Sequence, residues 1–478
     1  LDSTINGQHS YLFEYYNEIL SGNIIVGREL RKELENLIED LDDDRYIYDT
    51  SDAELRIEFI ETFVKHTKSP FNGMPFKLEL WEKAFIEAFY SFKRRDTGLR
   101  RFKKAILLIA RKNGKSTFCA AICLSELMIG EAGSDIVCSS NDDAQANIIF
   151  NEIASMRHKF DLKDKYTHKN LKGIFNKLND STVTKLSEKT QNKEGRNIAV
   201  AVIDETHEMK TNVIAKSIEQ SQSTKNEPIF LNITTEGFVE DGYLDEELVY
   251  AREVLNGERE DDELLPWLYT MDSETEIYTD RSSWQKANPS LGVIKKYSYI
   301  ESQLRKAQAS QAERVFTLSK DFNIKQNSVK TWLMESDVKN NLTFEIEDFR
   351  NWVALAATDL SETTDLTSAR ILLMKKGSRQ KFFLQHYFIP ESKVEEGSRE
   401  DGIDYLKLAK DGFITVSSGN EVDYSQVVQW YLSLYKNYGI RIYKEGHDRW
   451  NAKSFVKELD DYGIENEKIT QDYMNLSN

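Results

Sequence analysis

The chain has 478 residues, 40% of them hydrophobic, and a formal net charge of −17. That length allows two or three domains with sizeable cores, and the charge argues against a protein that coats nucleic acid with its whole surface. No uninterrupted apolar run reaches the length of a membrane span, and no basic-then-apolar leader opens the sequence.

Residues 1–75 read as a helical, highly charged N-terminal region, as in LRKELENLIEDLDDD; the first residue is Leu1 rather than Met, as expected of a trimmed N-terminus. From 76 to 259 the apolar runs AILLIA, DIVCSS, NIAVAVID and PIFLNITT alternate with helical stretches. That alternation predicts an α/β domain on a mainly parallel sheet with crossover connections. Residues 260–340 are polar and mostly helical, with SYIESQLRKAQASQAERVFTLSKDF as one amphipathic segment, and read as a linker subdomain. From 341 to 478 the runs WVALAATDLS, ARILLMKK and QKFFLQHYFIP predict antiparallel strands, followed by helical and α/β material. Cys119, Cys123 and Cys138 suit small buried hydrophobes in a reducing cytoplasm better than disulfides or a zinc site. Basic residues cluster in Phe92 to Lys104 and in Lys159 to Gly173. Each run reads first as a solvated charged face; an acidic body with local basic patches also suits a protein that holds DNA along one surface.

The stretch AILLIARKNGKSTFCAAICLSELMIG, 105 to 130, is strand, loop and helix, the context of a phosphate-binding loop. Gly114 lets the backbone approach a phosphate. The amides of the loop and helix start, from Arg111, Lys112 and Asn113 through to Thr117, would face the anion. Lys115 would pair with β- and γ-phosphate oxygens, and Ser116 would hold Mg2+. Ile109 replaces the first glycine of the usual G-x-x-x-x-G-K-[ST] pattern, and the competing reading is a surface turn.

A second apolar run ends in Asp204-Glu205, at the strand end where α/β sheets bind ligands. Asp204 would bind Mg2+ through water, and Glu205 would orient and deprotonate the attacking water. The competing reading is a strand end with a helix-capping Asp. A third run ends in Thr234-Thr235, where the Thr235 hydroxyl would sense the γ-phosphate. The seven histidines have no metal-ligand spacing, and His207 reads as a helix-start residue.

With these pieces the chain resembles, over nearly its whole length, the large terminase subunit of tailed bacteriophages. Members of that family often lack the first loop glycine and carry an early basic residue, here Arg111 in ARKNGKS. PFKLELWEKAFIEAFYSF resembles the family's adenine-side segment, which implies a nucleotide contact from Trp81, with Glu82 where a glutamine is usual. SSNDDAQANIIFNEI resembles the segment after the second strand. WQKANPSLG (Trp284 to Gly292) and KDFNIKQNSVKTWL (Lys320 to Leu333) resemble the linker. In related motors an arginine shortly before the acidic strand reaches a neighbouring subunit's nucleotide. Arg196 occupies that place, 8 residues before Asp204. Its other reading is a surface or phosphate-contacting arginine, and Arg111 is the alternative finger.

Asp359 closes an apolar strand, Asp365 lies in the turn after it, and Asp448 falls between a strand and a helix. Taken singly, each is an ordinary turn or cap residue. Resemblance to the family's ribonuclease H-like nuclease domain implies that they gather Mg2+ or Mn2+. The family's last metal-binding acid lies further downstream. Asp460, Asp461 and Asp472 are poor substitutes, so the expectation is an incomplete, truncated nuclease site with weak or no cleavage.

The resemblance implies an ATP-driven motor that moves double-stranded DNA into a procapsid and cuts concatemers. Its partners would be the capsid portal protein and the small terminase subunit. It would work as a homo-oligomeric ring on the procapsid, in the bacterial host cytoplasm and away from membranes. The alternatives are a DNA helicase, suggested by the acidic Asp204–His207 box, and a clamp that holds DNA or portal without hydrolysis.

Overall fold

The run Ile198–Asp204 is buried along its whole length, as a strand covered on both faces must be, and the sheet around it organises the first half of the molecule. In this computed structural model the described residues are 4–5 and 8–469, apart from 142, 187–195, 240–241, 327–341, 362–365, 376, 379, 402 and 449–451. They fall into two units, Leu1–Met334 and Glu335–Asn478.

Four helices lead into the first sheet: α1 (Tyr11–Leu20), α2 (Arg28–Glu39), α3 (Ser51–Phe63) and α4 (Leu80–Ser91). The strands are β1 (Lys104–Leu108), β2 (Asp135–Ser140), β3 (Thr167–Lys169), β4 (Ile174–Asn176), β5 (Thr182–Leu186), β6 (Ile198–Asp204), β7 (Ile229–Thr234) and β8 (Leu264–Leu268). Their spatial order is β8-β1-β7-β6-β2-β5-β4-β3. The pairs from β8 to β5 are parallel, and only β5–β4 and β4–β3 are antiparallel. The connecting helices are α5 (Lys115–Ile129), α6 (Asp143–Phe160), α7 (Val213–Ser221) and α8 (Tyr243–Leu255). One face of the sheet packs Leu107, Cys138, Val202 and Leu231 into the main core with α1 to α6. The other packs Ala201, Ile203 and Phe230 under α7, and Ile106 and Leu108 under α8. All three cysteines are free and buried.

Several elements differ from the sequence expectation. β8 lies within the stretch read as linker, because Pro266 interrupts its pattern. A proline has no N–H to give a ladder and is tolerated here because β8 is an edge strand. The long amphipathic segment is two helices, α10 (Tyr297–Ala309) and α11 (Gln311–Phe322), after a short α9 (Glu274–Thr279). Ser310 takes an extended backbone (φ −147°, ψ 127°) and breaks the run. The basic run 92–104 is not a solvated face. Arg94 pairs with Asp262 at 3.0 Å, Arg101 with Asp40 at 2.6 Å and Asp262 at 2.8 Å, and the buried Arg100 donates to the carbonyls of Glu227 and Pro228.

The segment from Trp284 to Asn323 is held together by a buried polar knot. Lys295 Nζ donates to Asp321 Oδ1 at 2.7 Å and to Asn288 Oδ1 at 2.8 Å. Asn288 Nδ2 donates to the carbonyls of Trp284 and Asp321. Lys295 and Asp321 are both nearly inaccessible to water, so each charge depends on the other.

The second unit is a mixed sheet of β9 (Val353–Asp359), β10 (Thr367–Met374), β11 (Lys381–Pro390), β12 (Ile414–Ser417), β13 (Arg441–Asp448) and β14 (Asn466–Ile469), in the order β12-β11-β10-β9-β13-β14. β9, β10 and β11 form an antiparallel meander, and β13 lies parallel to β9. This is the ribonuclease H-like arrangement. Helices α12 (Val394–Asp401), α13 (Tyr405–Lys410), α14 (Tyr424–Tyr438) and α15 (Lys453–Asp461) complete the unit. The core joins Ile371, Leu373 and Phe388 to Val427, Val428 and Tyr431 of α14 and to Phe455 and Leu459 of α15. No helix among the described residues is long and apolar enough to cross a membrane.

Two stability measurements check this packing. Lys295→Met leaves the Asp321 carboxylate buried without its cation, and should cost about 3–5 kcal/mol in denaturant unfolding of the first unit. Glu33 on α2 is buried, and burial pushes its carboxyl up to about 8. An acid raised in the folded state binds its proton more tightly there, so stability is full below the unfolded value near 4.5 and falls as pH rises towards 8. Glu33→Gln should therefore be nearly neutral at pH 5 and stabilising by about 1–3 kcal/mol at pH 8.5. A pH-independent difference would contradict the assignment.

Candidate active sites

The phosphate-loop residues sit where β1 ends and α5 begins. Gly114, just before α5, has φ +85°, a left-handed conformation that glycine adopts without strain. Lys112 is also left-handed (φ +67°) and exposed. The fully buried Asn113 holds the loop in shape. Its amide nitrogen donates to Ala110 O (2.9 Å) and Asn288 Oδ1 (2.9 Å), and its amide oxygen accepts from Ser290 N (3.2 Å). The loop is thus moulded from behind by the segment Trp284 to Gly292. Trp81 is buried against Phe118 and Tyr269 and donates to Ser290 Oγ at 3.1 Å. Its link to the loop therefore runs through Ser290 rather than through an open ring face. Glu82 is buried too, caps the start of α4 by accepting from Glu79 N, and is pushed well above the usual carboxylate range by that burial.

The acidic strand end faces this loop. Ser116 Oγ donates to Asp204 Oδ2 at 2.8 Å, and Lys115 Nζ donates to Glu205 Oε1 at 3.0 Å. Asp204 is 3% exposed. Burial lifts its carboxyl to about 6, against the pull of Lys115. Glu205 has φ +57°, a conformation rare for a residue with a side chain. Burial works against its ionisation, but the Lys115 ammonium beside it outweighs that and holds it below the ordinary glutamate value. Thr235 is buried at the end of β7, with no hydrogen-bond partner for its hydroxyl among the described residues. Arg111 is half-buried, its guanidinium 5.7 Å from the Phe316 ring centre, and Thr117 is half-buried at the helix start.

Three side chains to which sequence reasoning gave no role in this site complete the cleft. His207 is not a plain helix-start residue: its Nδ1 lies 3.1 Å from Glu205 Oε2 and 3.2 Å from Thr234 Oγ1. Burial and the nearby Lys320 push its pKa down to about 3, so the ring is neutral at pH 7. Gln145 donates to Glu208 at 2.8 Å. Lys320, 3% exposed, donates to Glu236 O at 2.8 Å. Only the DETH box itself pointed to His207, and Lys320 opens a linker segment that the resemblance singled out without giving that lysine a role.

Arg196 stands apart from this cleft. Its guanidinium forks onto Asp135, with Nε–Oδ2 at 2.9 Å and Nη2–Oδ1 at 2.6 Å, and also reaches Thr184. Asp135 opens β2 and Arg196 precedes β6, so the pair lies at the amino-terminal edge of these parallel strands, opposite the loop.

In the second unit Thr358 pairs with His447 across the parallel β9–β13 ladder, which puts Asp359 and Asp448 side by side at neighbouring strand ends. Asp365 and Asp472 lie outside the described residues. Among the described residues no three His, Cys, Asp or Glu side chains come close enough together to hold a metal ion. Behind the two aspartates lies a buried layer: Thr358 Oγ1 is 2.8 Å from Tyr431 OH, and His447 Nδ1 is 2.9 Å from Glu445 Oε2.

Comparisons with known proteins match both units. Residues 80–253 match the family described as terminase large subunit, ATPase domain, and residues 258–478 match terminase large subunit, endonuclease domain. The large terminase subunit of Enterobacteria phage HK97 is 25% identical over 421 residues, covering 86% of this chain and 80% of that protein. Protein YmfN of Escherichia coli (strain K12) is 24% identical over 293 residues, 59% of this chain and 64% of that protein. The crystal structure of the HK97 large terminase superposes with a TM-score of 0.50 at 23% identity, over 88% of this chain and 86% of that one, which supports the shared fold. With a phosphate-loop cleft in one unit, an acid-bearing mixed sheet in the other, and both matched in chain order, the protein belongs to the large terminase subunits, the ATPase–endonuclease motors of DNA packaging.

Proposed function

We propose that the cleft between the loop Arg111–Thr117 and the strand end Asp204–Glu205 hydrolyses ATP with Mg2+, and that this drives double-stranded DNA into a procapsid. The observation that carries the reading is the double tie across the cleft, Ser116 to Asp204 and Lys115 to Glu205. The donor set fits a hard cation: a hydroxyl and a buried carboxylate, both oxygen. Ser116 and Asp204 would hold Mg2+, which neutralises phosphate charge when bound. The buried Thr235 hydroxyl supplies a donor to a phosphate oxygen. Lys115 must leave Glu205 to reach the phosphates. That exchange frees Glu205 Oε1 and removes the strongest force holding its acidity, so the base strengthens once substrate is in place. Trp81 contributes to nucleotide binding by holding the loop through Ser290.

In the second unit Asp359 and Asp448, with Asp365, are proposed to bind Mg2+ or Mn2+ for cutting concatemers. The proposed division is an N-terminal region to residue 75, an ATPase domain over 76–259 joined by the edge strand β8, a linker over the rest of 260–340 and a nuclease domain from 341. The working form is a ring on the capsid portal, supplied with DNA by the small terminase subunit in the bacterial cytoplasm. Arg196 would serve a neighbouring copy as an arginine finger after leaving Asp135, with Arg111 as the alternative.

Glu205→Gln is expected to retain ATP binding while lowering phosphate release about 10²–10⁴-fold. Lys115→Ala should instead lose binding, measured with a fluorescent ATP analogue. Wild-type turnover in Glu205→Gln would remove Glu205 from the mechanism. Asp448→Asn should weaken Mn2+ binding, followed by calorimetry, by no less than the roughly 10–100-fold typical of losing even an outer-shell partner. Unchanged affinity would move the metal site elsewhere.

A further inference from the structure

Lys320 is a lysine almost sealed from water that the account of hydrolysis has so far left without a task. Its backbone carbonyl accepts from Arg111 N at 2.9 Å, at the first residue of the phosphate loop. Its ammonium donates to Glu236 O at 2.8 Å, one residue beyond Thr235. Three positions on, Asn323 ends α11 in a left-handed conformation, φ +51°. Its amide oxygen accepts from Glu236 N at 3.0 Å and its amide nitrogen donates to Tyr269 O at 2.9 Å. Both backbone groups of Glu236 are therefore gripped by one turn of chain, and the same turn holds the start of the phosphate loop.

A buried ammonium costs several kcal/mol unless it is compensated. The Phe238 ring at 4.8 Å and the nearby carboxylates of Glu205, Glu208 and Glu236 favour the charge of Lys320, whereas burial and Arg111 oppose it. Packing alone would be served better by leucine or methionine. The ammonium is explained by what it holds.

We propose that Lys320 and Asn323 are positioning residues for ATP hydrolysis, clipping the Thr235–Glu236 loop to the phosphate loop so that Thr235 and Glu205 meet the substrate in one fixed geometry. This rests on the ATPase reading of the cleft. Neither residue touches the reacting atoms on this account; each acts through the Glu236 backbone. Loss of the clip should leave the nucleotide bound, because Gly114, Lys115 and Ser116 remain, but should misplace the groups that act on the γ-phosphate.

Steady-state ATPase kinetics on the full chain tests this. Lys320→Met is expected to lower kcat about 10–100-fold, the scale of an ångström of misplacement, with KM for ATP within about threefold. Lys320→Arg should restore at least about a third of kcat, since it keeps a cationic donor. Asn323→Ala, which leaves the ammonium in place, should show the same kcat-selective loss and covers the case in which Lys320→Met does not fold. Wild-type kcat in both Lys320→Met and Asn323→Ala would overturn the proposal. So would a loss that arginine does not rescue and that tracks loss of ATP binding. Absence of ATP turnover in the wild-type chain would instead overturn the ATPase reading itself.

Discussion

The hydrogen bond from Ser116 to Asp204 joins the start of α5 to the end of β6, and the chemistry of the first unit is arranged around it. A hydrogen bond to a carboxylate contributes about 1.5–3 kcal/mol; its larger effect is geometric. β6 lies two places from β1 in the sheet, with β7 between them. The phosphate loop and the acidic pair can therefore meet only by reaching across the carboxyl ends of three parallel strands. The parallel order makes this possible, since every strand delivers its last residue to the same edge.

That edge is polar and almost dry. Asp204, Thr235 and Lys320 are each nearly inaccessible, and each departs from what water would allow. Asp204 gives up acidity, and Lys320 falls to about 7 through burial and the charge of Arg111. Glu205 adds backbone strain at φ +57°, worth on the order of 1–3 kcal/mol. Strain and desolvation at one edge, with an apolar core on both faces of the sheet, form the pattern of a site maintained by the stability of the rest of the fold.

Much of this was legible in the sequence, and the reasons for the gaps are physical. The four central strands announce themselves as unbroken apolar runs because both sheet faces are covered. Lys115, Ser116, Asp204 and Glu205 could be found because each sits beside the end of such a run. β8 was hidden by Pro266, and the division of α10 from α11 by a single serine that a periodic pattern reads through. The partners of Asn113 were out of reach for another reason. Asn288, Ser290 and Lys320 act on the loop from far along the chain, and nothing in their neighbourhood marks a contact with it. Resemblance singled out the segments Trp284 to Gly292 and Lys320 to Leu333, but not that they pack against the loop. In the second unit, the adjacency of Asp359 and Asp448 follows from β13 pairing with β9, a long-range choice that neither strand encodes alone.

The bond between Asn113 and Asn288 spans 175 positions. On a ribosome adding about 5–20 residues per second, the second partner emerges roughly 9–35 s after the first. Throughout that interval the nascent loop lacks the groups that mould it. The order of translation itself thus delays a working ATPase until the chain has been read past Asp321. A fragment cut at the end of the matched ATPase stretch, residue 253, would be held permanently in that immature condition.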